Sequence, residues 1–243
     1  MRRLVALVLV VACTAAGTAS AAGGPTLTVF AASSLTDVLP QIDSAQRYSF
    51  AGSNTLAAQI QQGAPADVFA SANLTIPLQL RAKGLLTRVY VLTRNSLVMV
   101  VPRANPARIH SVYDLRKPDV KLVIAAPAVP VGAYTLQALQ NMKLTDVLSN
   151  VVSRETDVRE VLAKVALGEA DAGFVYSTDA RTVRGQVAVF RLPVAARPNV
   201  AYGIAAVASS GNLAAAQAWV RKLLAAPAQK KLLAAGFLPR RKP

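Results

Sequence analysis

Residues 48–70 read YSFAGSNTLAAQIQQGAPADVFA, and this stretch decides the fold. It begins with the strand-like run Tyr48–Phe50 and ends with a second such run, Asp67–Ala70. A helical stretch lies between the two runs, from about Thr55 to Gln62. A helix between two strands is typical of a parallel pair, because parallel strands need a long crossover connection. The segment therefore predicts one strand–helix–strand unit of an α/β fold.

The same alternation continues on both sides of this unit. Helical stretches are predicted near Ser34, up to Leu80, after Gly132, through Trp219 and up to a C-cap at Gly236. Further strand-like runs are Leu27–Phe30, Asn95–Val101, Leu122–Ala125, Ala172–Tyr176, Val187–Phe190 and Ala201–Val207. Strands interleaved with helices of this length predict mostly parallel sheets that are flanked by helices.

Two of the strand-like runs are longer than the others and divide the chain. Asn95–Val101 and Ala201–Val207 stand where a chain leaves one lobe and later returns to it. We therefore predict one lobe from residues 25–99 plus 206–243, and a second lobe from residues 100–205. The ligand site of such a fold lies in the cleft between the lobes, at the carboxyl ends of the strands.

Residues 1–24 have the pattern of a signal peptide. A positive start is followed by the apolar stretch Leu4–Ala12 and by the small residues 19–21, which suit cleavage. An alternative is a lipoprotein signal, because Val10–Cys13 resembles a lipobox whose cysteine carries the lipid anchor. A membrane-spanning helix is disfavoured, since about 20 apolar residues are needed. Each interpretation places the protein in the periplasm or on the outer face of the cytoplasmic membrane.

Composition excludes several classes of function. Cys13 is the only cysteine and His110 the only histidine, so the folded part has no disulfide and no thiolate nucleophile. The net charge is +15, but the basic residues are scattered and aromatic residues make up only 5%. A stacking surface for nucleic acid is therefore not expected. We interpret His110 as an exposed loop residue.

Small or hydroxyl residues follow four strand ends, and a helix follows each of them. These stretches are Ala31–Ser34, Ala51–Thr55, Pro127–Ala133 and Thr156–Arg159. A helix start has unpaired N–H groups and a partial positive charge, so it binds anions without a cationic side chain. Four such ends at one cleft predict a cage of neutral donors around a dianion.

Each of these signals also has a purely structural interpretation. Ser34 and Ser53 are residue types preferred as ordinary helix N-caps. Tyr176 stands at a strand end, where an aromatic residue usually belongs to the core. Val131 and Val158 offer only their main-chain N–H groups. The combination, and not any single residue, favours the anion site.

The chain resembles the molybdate-binding component of ABC importers, within the class of periplasmic binding proteins. The resemblance covers nearly the whole exported chain, and GAPADVFASA is its most telling motif. The matching segments are FAASSLTDVL (30–39), FAGSNTLAAQIQQGAPADVFASAN (50–73), NSLVMVVP (95–102), PAVPVGAYTLQALQ (127–140), TDVREVLAKVALGEADAGFVYSTDA (156–180) and AQKKLLAAGF (228–237).

This resemblance implies a fold, a ligand and a binding set. The fold is the two-lobed class II type, and the ligand is molybdate, with tungstate alongside it. Ser34 and Ser53 would bind through hydroxyl and N–H groups, Val131 and Val158 through N–H groups, and Tyr176 through its phenol. Molybdenum would enter only as the oxyanion, without direct protein ligands to the metal. The resemblance further implies no enzymatic activity, no cofactor, and delivery to an ABC permease with its ATPase. For the oligomeric state, a monomer is the default expectation.

Two departures from the family pattern are visible. Val131 stands where the family often has alanine, but the contact there is a main-chain one. Between Leu39 and Phe50 the chain is several residues shorter than is usual, which predicts that the first helix or the second strand is clipped, partly by Pro40.

The acids near the predicted site bear on its selectivity. Asp37 and Asp157 stand where a first-turn carboxylate stabilises its own helix start, and we interpret both as structural. A cage of donors alone favours a fully deprotonated dianion over phosphate, which carries a proton at neutral pH. Sulfate meets the same chemical requirement as molybdate, so only the resemblance selects the larger ion.

Other functions stay open at this stage. A binding protein for sulfate, phosphate or iron would share the fold, although iron needs several tyrosines or carboxylates and only Tyr176 stands at a proposed site. An extracytoplasmic hydrolase would need a nucleophile beside a base. With His110 as the lone histidine, only an unusual serine–lysine pair would remain, and no spacing indicates one.

Overall fold

The computed structural model describes residues 24–240. Residues 1–23, which hold nearly all of the predicted signal peptide together with Cys13, lie outside the described part of the chain. In the described part, no helix is long and apolar enough to cross a membrane. His110 is exposed in a loop, as the sequence predicts.

Two five-stranded sheets form the centre of the molecule. The first sheet has the order β2-β1-β3-β10-β4, and the second has the order β7-β6-β8-β5-β9. The strands are β1 Thr28–Ala32, β2 Arg47–Ala51, β3 Val68–Ser71, β4 Tyr90–Arg94, β5 Leu97–Pro102, β6 Leu122–Ala125, β7 Val151–Glu155, β8 Ala172–Tyr176, β9 Val187–Arg191 and β10 Ala201–Ala206. In each sheet one strand, β10 or β5, runs against the other four.

Helices cover both sheets. They are α1 Leu39–Ile42, α2 Ser53–Gln61, α3 Thr75–Ala82, α4 Pro130–Asn141, α5 Val158–Ala166, α6 Ser177–Thr182, α7 Leu213–Leu224 and α8 Ala226–Ala234. Helix α5 shows why they pack there: Val158, Val161, Leu162 and Val165 recur at helical spacing and are all buried. Gly236 follows α8 with φ +99°, the left-handed end that the sequence predicts.

These elements confirm the predicted fold class of two lobes with mostly parallel sheets flanked by helices. We call the first sheet with α1–α3, α7 and α8 the first lobe, and the second sheet with α4–α6 the second lobe. A single buried apolar cluster contains residues from both lobes. A smaller cluster includes Phe30, Phe69 and Leu56 and lies between the first sheet and the helices α2 and α3.

The crossings between the sheets differ from the predicted lobe boundaries. The chain leaves the first sheet after Arg94 and enters the second at Leu97, and it returns between Arg191 and Ala201. The predicted boundary at 99/100 falls inside β5, which pairs along its length with β8 and β9. The boundary at 205/206 likewise falls inside β10. The division of the chain into these two lobe ranges stays a prediction.

The region of the first helix also differs from the prediction. Instead of a helix beginning near Ser34, a 3₁₀ turn spans Ser33–Leu35, and α1 follows with only four residues. Pro40 stands in the first turn of α1. Of the two predicted ways to shorten this region, the structure therefore shows the clipped helix, whereas β2 keeps five residues.

Candidate functional site

A small cavity lies between the lobes, where several helical segments begin. Its lining residues come from strand ends and the first helical turns: Ala32, Ser33, Ser34, Ala51, Gly52, Ser53, Ala72, Val129, Pro130, Val131, Asp157, Val158 and Tyr176. The carboxyl ends of β1, β2 and β3 deliver the lining residues up to Ala72, and those of β6, β7 and β8 deliver the lining residues from Val129 onward. This is the predicted location for the ligand site of an open α/β sheet.

All five residues predicted for the site line this one cavity. They are buried, with exposed fractions of 3% or less: Ser34, Ser53, Val131, Val158 and Tyr176. The shortened segment before β2 has therefore not separated Ser53 from Ser34. Whether these residues hold a ligand stays a prediction.

The main-chain donors come from the starts of three helices. Ser53 and Val158 are the first residues of α2 and α5, and Val131 is the second residue of α4. The N–H groups of a first turn have no carbonyl partner within their own helix. They carry the partial positive charge of the helix start, which favours an anion.

Asp157 caps helix α5, in agreement with its predicted structural role. Its Oδ1 accepts hydrogen bonds from the N–H groups of Arg159 at 2.6 Å and Glu160 at 3.3 Å. The carboxylate thus satisfies two first-turn donors of the helix. The N–H of Val158, next to the cavity, is not one of the two.

The two serine hydroxyls are held by bonds within the first lobe. Ser53 Oγ accepts a hydrogen bond from the N–H of Ala72 at 3.0 Å, so its own proton remains free to be donated. Ser34 Oγ lies 2.8 Å from Oη of Tyr202, which is fully buried. Both serines therefore present hydroxyl groups whose positions are fixed by the fold.

Tyr176 differs from the serines because its hydroxyl has no partner. Among residues 24–240, Tyr176 Oη is one of three buried side-chain polar atoms that lack a hydrogen bond. Burial raises the pKa of Tyr176 well above its usual value, so the phenol keeps its proton. A buried O–H that lines a cavity without an acceptor is the kind of group that a bound anion satisfies.

Contacts across the cleft show that the lobes meet around the cavity. Arg159, on α5, forms ion pairs with Asp37 of the first lobe and with Asp179 of α6 at 2.7 Å. A Cβ added to Gly52 would lie 2.3 Å from the carbonyl oxygen of Thr156 in the second lobe. The main chains of the two lobes are therefore as close as a glycine permits.

The contact with Arg159 corrects the interpretation of Asp37. The sequence predicts that this carboxylate stabilises its own helix start, but Asp37 lies between the 3₁₀ turn and α1 and pairs with the opposite lobe. On the other side of Arg159, burial raises the pKa of Asp179 to about 6, and the neighbouring guanidinium only partly offsets this rise.

Sequence reasoning missed the residues behind the cavity wall. Tyr202 and Asn95 stand behind Ser34, and Arg159 joins the lobes beside it. Ser34 and Tyr202 are separated by 168 positions in sequence, so no local pattern relates them. Arg159 ends the predicted stretch Thr156–Arg159, but only the fold shows that its side chain reaches Asp37.

Two sheets of matching topology that enclose a donor-lined cavity define a two-lobed binding protein. A profile of the bacterial extracellular solute-binding protein family matches residues 27–238, and the chain belongs to this family. It is 36% identical over 242 residues to the molybdate-binding protein ModA of Mycobacterium tuberculosis, covering 93% of this chain and 92% of that one.

Two solved structures share the fold. The periplasmic molybdate-binding protein of Azotobacter vinelandii has a TM-score of 0.78 at 22% identity, covering 88% of this chain and all of that one (100%). The sulfate-binding protein SubI of Mycobacterium tuberculosis also has a TM-score of 0.78, at 19% identity over 89% and 87% of the two chains. At these identities the two likenesses show the fold alone.

Proposed function

We propose that this chain captures molybdate in the cavity between its lobes and delivers it to an ABC import permease with its ATPase. The observation that carries the proposal is the set of donors at one cavity: two hydroxyls, helix-start N–H groups and the unpartnered phenol of Tyr176. The 36% identity to a molybdate-binding protein over nearly the full length supports the choice of ion.

The chemistry of these donors favours an anion without protons. Ser53 accepts from Ala72 and has its proton left to give, the phenol of Tyr176 is protonated, and a main-chain N–H donates by nature. The one carboxylate at the cavity, Asp157, is engaged by α5. An ion that brings its own proton would place a donor against donors, which costs about 1–3 kcal/mol.

Molybdate and tungstate both satisfy these requirements, because both are tetrahedral dianions. We include tungstate in the proposal for this reason. Sulfate is the second candidate, since it has the same charge and shape and since the fold is shared with a sulfate-binding protein. Phosphate is less suited, because it carries a proton at neutral pH.

The two-lobe arrangement supports a transport cycle. The anion bridges donors from both lobes and so favours the closed form, which the permease would then receive. The proposal includes export of the chain by its N-terminal signal, an anchor at Cys13 as the alternative, and a monomeric state. The chemistry is binding, and no bond of the ligand is made or broken.

Isothermal titration of the purified protein with an anion panel tests the proposal. We expect tight binding of molybdate and tungstate, weaker binding of sulfate, and the weakest binding of phosphate. A ferric salt in the same panel tests the iron-binding alternative. A melting temperature that rises with molybdate gives an independent measure, because a ligand of the native state stabilises it. Tight binding of phosphate or ferric ion, with none of molybdate, would refute the proposal.

A further inference from the structure

Asn95 connects the crossing between the lobes with the wall of the cavity. It lies in the two-residue segment that joins β4 to β5, and it is buried, with 4% of its surface exposed. Its Nδ2 donates to Oγ1 of Thr178 at 2.8 Å and to Oη of Tyr202 at 3.3 Å. Tyr202 Oη in turn lies 2.8 Å from Oγ of Ser34. A chain of hydrogen bonds therefore leads from this segment to the site.

The main chain fixes the orientation of the Asn95 amide. The N–H of Ser96 can only donate, and it lies 2.8 Å from Oδ1 of Asn95. The hydroxyl of Ser177 donates to the same oxygen at 3.1 Å. The amide oxygen is thus occupied by donors from this side, and the NH₂ group must face Tyr202 and Thr178.

This orientation determines where the proton of each hydroxyl points. Asn95 Nδ2 has no lone pair to accept with, so Tyr202 Oη accepts from it. Within residues 24–240, the other polar contact of Tyr202 Oη is Ser34 Oγ, which is therefore the acceptor for the phenolic proton. Burial raises the pKa of Tyr202 well above its usual value, so the phenol keeps that proton.

Ser34 therefore keeps its own proton for the cavity. Its Oγ accepts from Tyr202, so its own proton points away from the phenol, and Ser34 lines the cavity. A lone serine hydroxyl can rotate and act as either donor or acceptor. Tyr202 fills one lone pair of this oxygen and takes no proton from it, so Ser34 keeps its proton to donate into the cavity.

We propose that Asn95 and Tyr202 are positioning residues that keep the hydroxyl proton of Ser34 available to the ligand and thereby favour oxyanions that carry no proton. This inference rests on the proposed function and deepens it. A dianion such as molybdate accepts a hydrogen bond from the hydroxyl of Ser34. Hydrogenphosphate has the same charge, but a hydroxyl that it turns toward Ser34 competes with the proton of Ser34 for the same side of the serine oxygen.

We call the hydrogen-bond chain from Asn95 through Tyr202 to Ser34 the relay. Three variants test it by isothermal titration with molybdate and with hydrogenphosphate, at a mildly alkaline pH. Tyr202→Phe removes the middle of the relay. Asn95→Asp is nearly isosteric and reverses it, because the new carboxylate accepts from Tyr202, which then accepts from Ser34. Tyr48→Phe is the matched control: its hydroxyl donates to carbonyls of Asp43 and Leu39, and it does not line the cavity.

The readout is the ratio of the molybdate affinity to the hydrogenphosphate affinity. Both ions carry two negative charges at this pH, so the ratio cancels the effect of the added charge in Asn95→Asp. We expect Tyr202→Phe to lower the molybdate affinity about tenfold and to lower the ratio of molybdate affinity to hydrogenphosphate affinity. Asn95→Asp should lower this ratio further, and Tyr48→Phe should leave it at the wild-type value.

The outcomes separate this inference from the proposed function. If the wild type binds neither ion, the proposed function fails and the relay with it. If the wild type prefers molybdate but Tyr202→Phe and Asn95→Asp keep its ratio, the inference alone is wrong. Loss of affinity for both ions to the same extent would also overturn it, because a purely structural role predicts that result.

Discussion

The two lobes contribute to the cavity in different ways, and the first lobe contributes side chains that are already bonded. Ser34 is bonded to Tyr202, and Ser53 accepts from the N–H of Ala72. All of these partners belong to the first lobe or to its buried strands. The hydroxyls of this lobe are therefore oriented before an anion arrives.

The second lobe contributes main-chain groups and a phenol without a partner. Val131 and Val158 offer N–H groups at helix starts, which every substitution except one to proline leaves in place. Tyr176 offers a buried O–H that lacks an acceptor among the described residues. The anion would complete the hydrogen bonding of this lobe, so the gain on binding comes when the lobes meet around it.

The largest effect should come from preventing the lobes from meeting. Gly52→Ala places a Cβ 2.3 Å from the carbonyl oxygen of Thr156 across the cleft. The φ of Gly52 is −57°, so alanine fits the local backbone, and the clash is mainly with the other lobe. We expect the molybdate affinity to fall by about a hundredfold or more, measured by isothermal titration.

Gly211→Ala is the control for this prediction, because a Cβ there meets nothing within 4 Å. It should bind as the wild type does. Small-angle scattering should show that molybdate compacts the wild type but not Gly52→Ala. An unchanged affinity in Gly52→Ala would show that the donors of the two lobes act without closure.

Removal of a first-lobe hydroxyl should cost both affinity and stability. Ser53→Ala removes a donor and leaves the N–H of Ala72 buried without an acceptor. Ser34→Ala likewise removes the hydrogen-bond partner of the Tyr202 hydroxyl. We expect each to weaken molybdate binding by about 1–3 kcal/mol, or tenfold to a hundredfold. The free energy of unfolding of the ligand-free protein should fall by about 1 kcal/mol or more.

Chemical denaturation measures the stability half of this prediction. Ser149→Ala serves as the control, since its exposed hydroxyl bonds only to the carbonyl of Asp146 away from the cavity. Wild-type affinity in both Ser34→Ala and Ser53→Ala would show that the hydroxyl groups of the first lobe do not bind the ion.

Tyr176→Phe should cost affinity without costing stability, and this contrast distinguishes the lobes most sharply. The phenol has no partner to lose, so the ligand-free protein should keep its unfolding free energy or gain about 1 kcal/mol. The molybdate affinity should fall about tenfold, because the anion loses a donor. A drop in stability as large as that of the serine variants would contradict the contrast.

The smallest effect should come from the ion pair across the cleft. Asp37→Asn breaks one contact between the lobes, but the side chain of Asp37 is 52% exposed and Arg159 keeps its partner Asp179. An exposed pair of this kind is worth less than about 1 kcal/mol. We expect the molybdate affinity to fall about twofold to fivefold at low salt, and the difference from wild type to disappear at high salt.

Titration at two ionic strengths checks this last prediction. Asp146→Asn is the matched control, because it breaks a similar exposed pair with Arg116 inside the second lobe. A loss as large as that of Gly52→Ala would mean that charge, and not main-chain contact, holds the lobes together.

Much of the fold was predictable because buried strands are continuous apolar runs. The prediction for β6, Leu122–Ala125, matches the structure residue for residue, and β8 was also placed correctly. The strands β4 and β7 were missed. Both are edge strands, and β7 reads VVSRE with alternate residues exposed, so neither is a continuous apolar run.

The site was predictable where local sequence suffices and not elsewhere. Hydroxyl and small residues after a strand indicate a helix start, which marked four stretches, and the family resemblance selected Ser34, Ser53, Val131 and Val158 within them. The groups that orient them come from distant parts of the chain, as in the pairs Ser34–Tyr202 and Asp37–Arg159. Only the packed fold brings such residues together.

A crystal structure of the protein with molybdate tests the central claim most directly. We predict that the ion lies within hydrogen-bonding distance of the hydroxyls of Ser34, Ser53 and Tyr176 and of the N–H groups of Val131 and Val158. An ion held by Arg159 or another cationic side chain, or bound outside this cavity, would contradict the account.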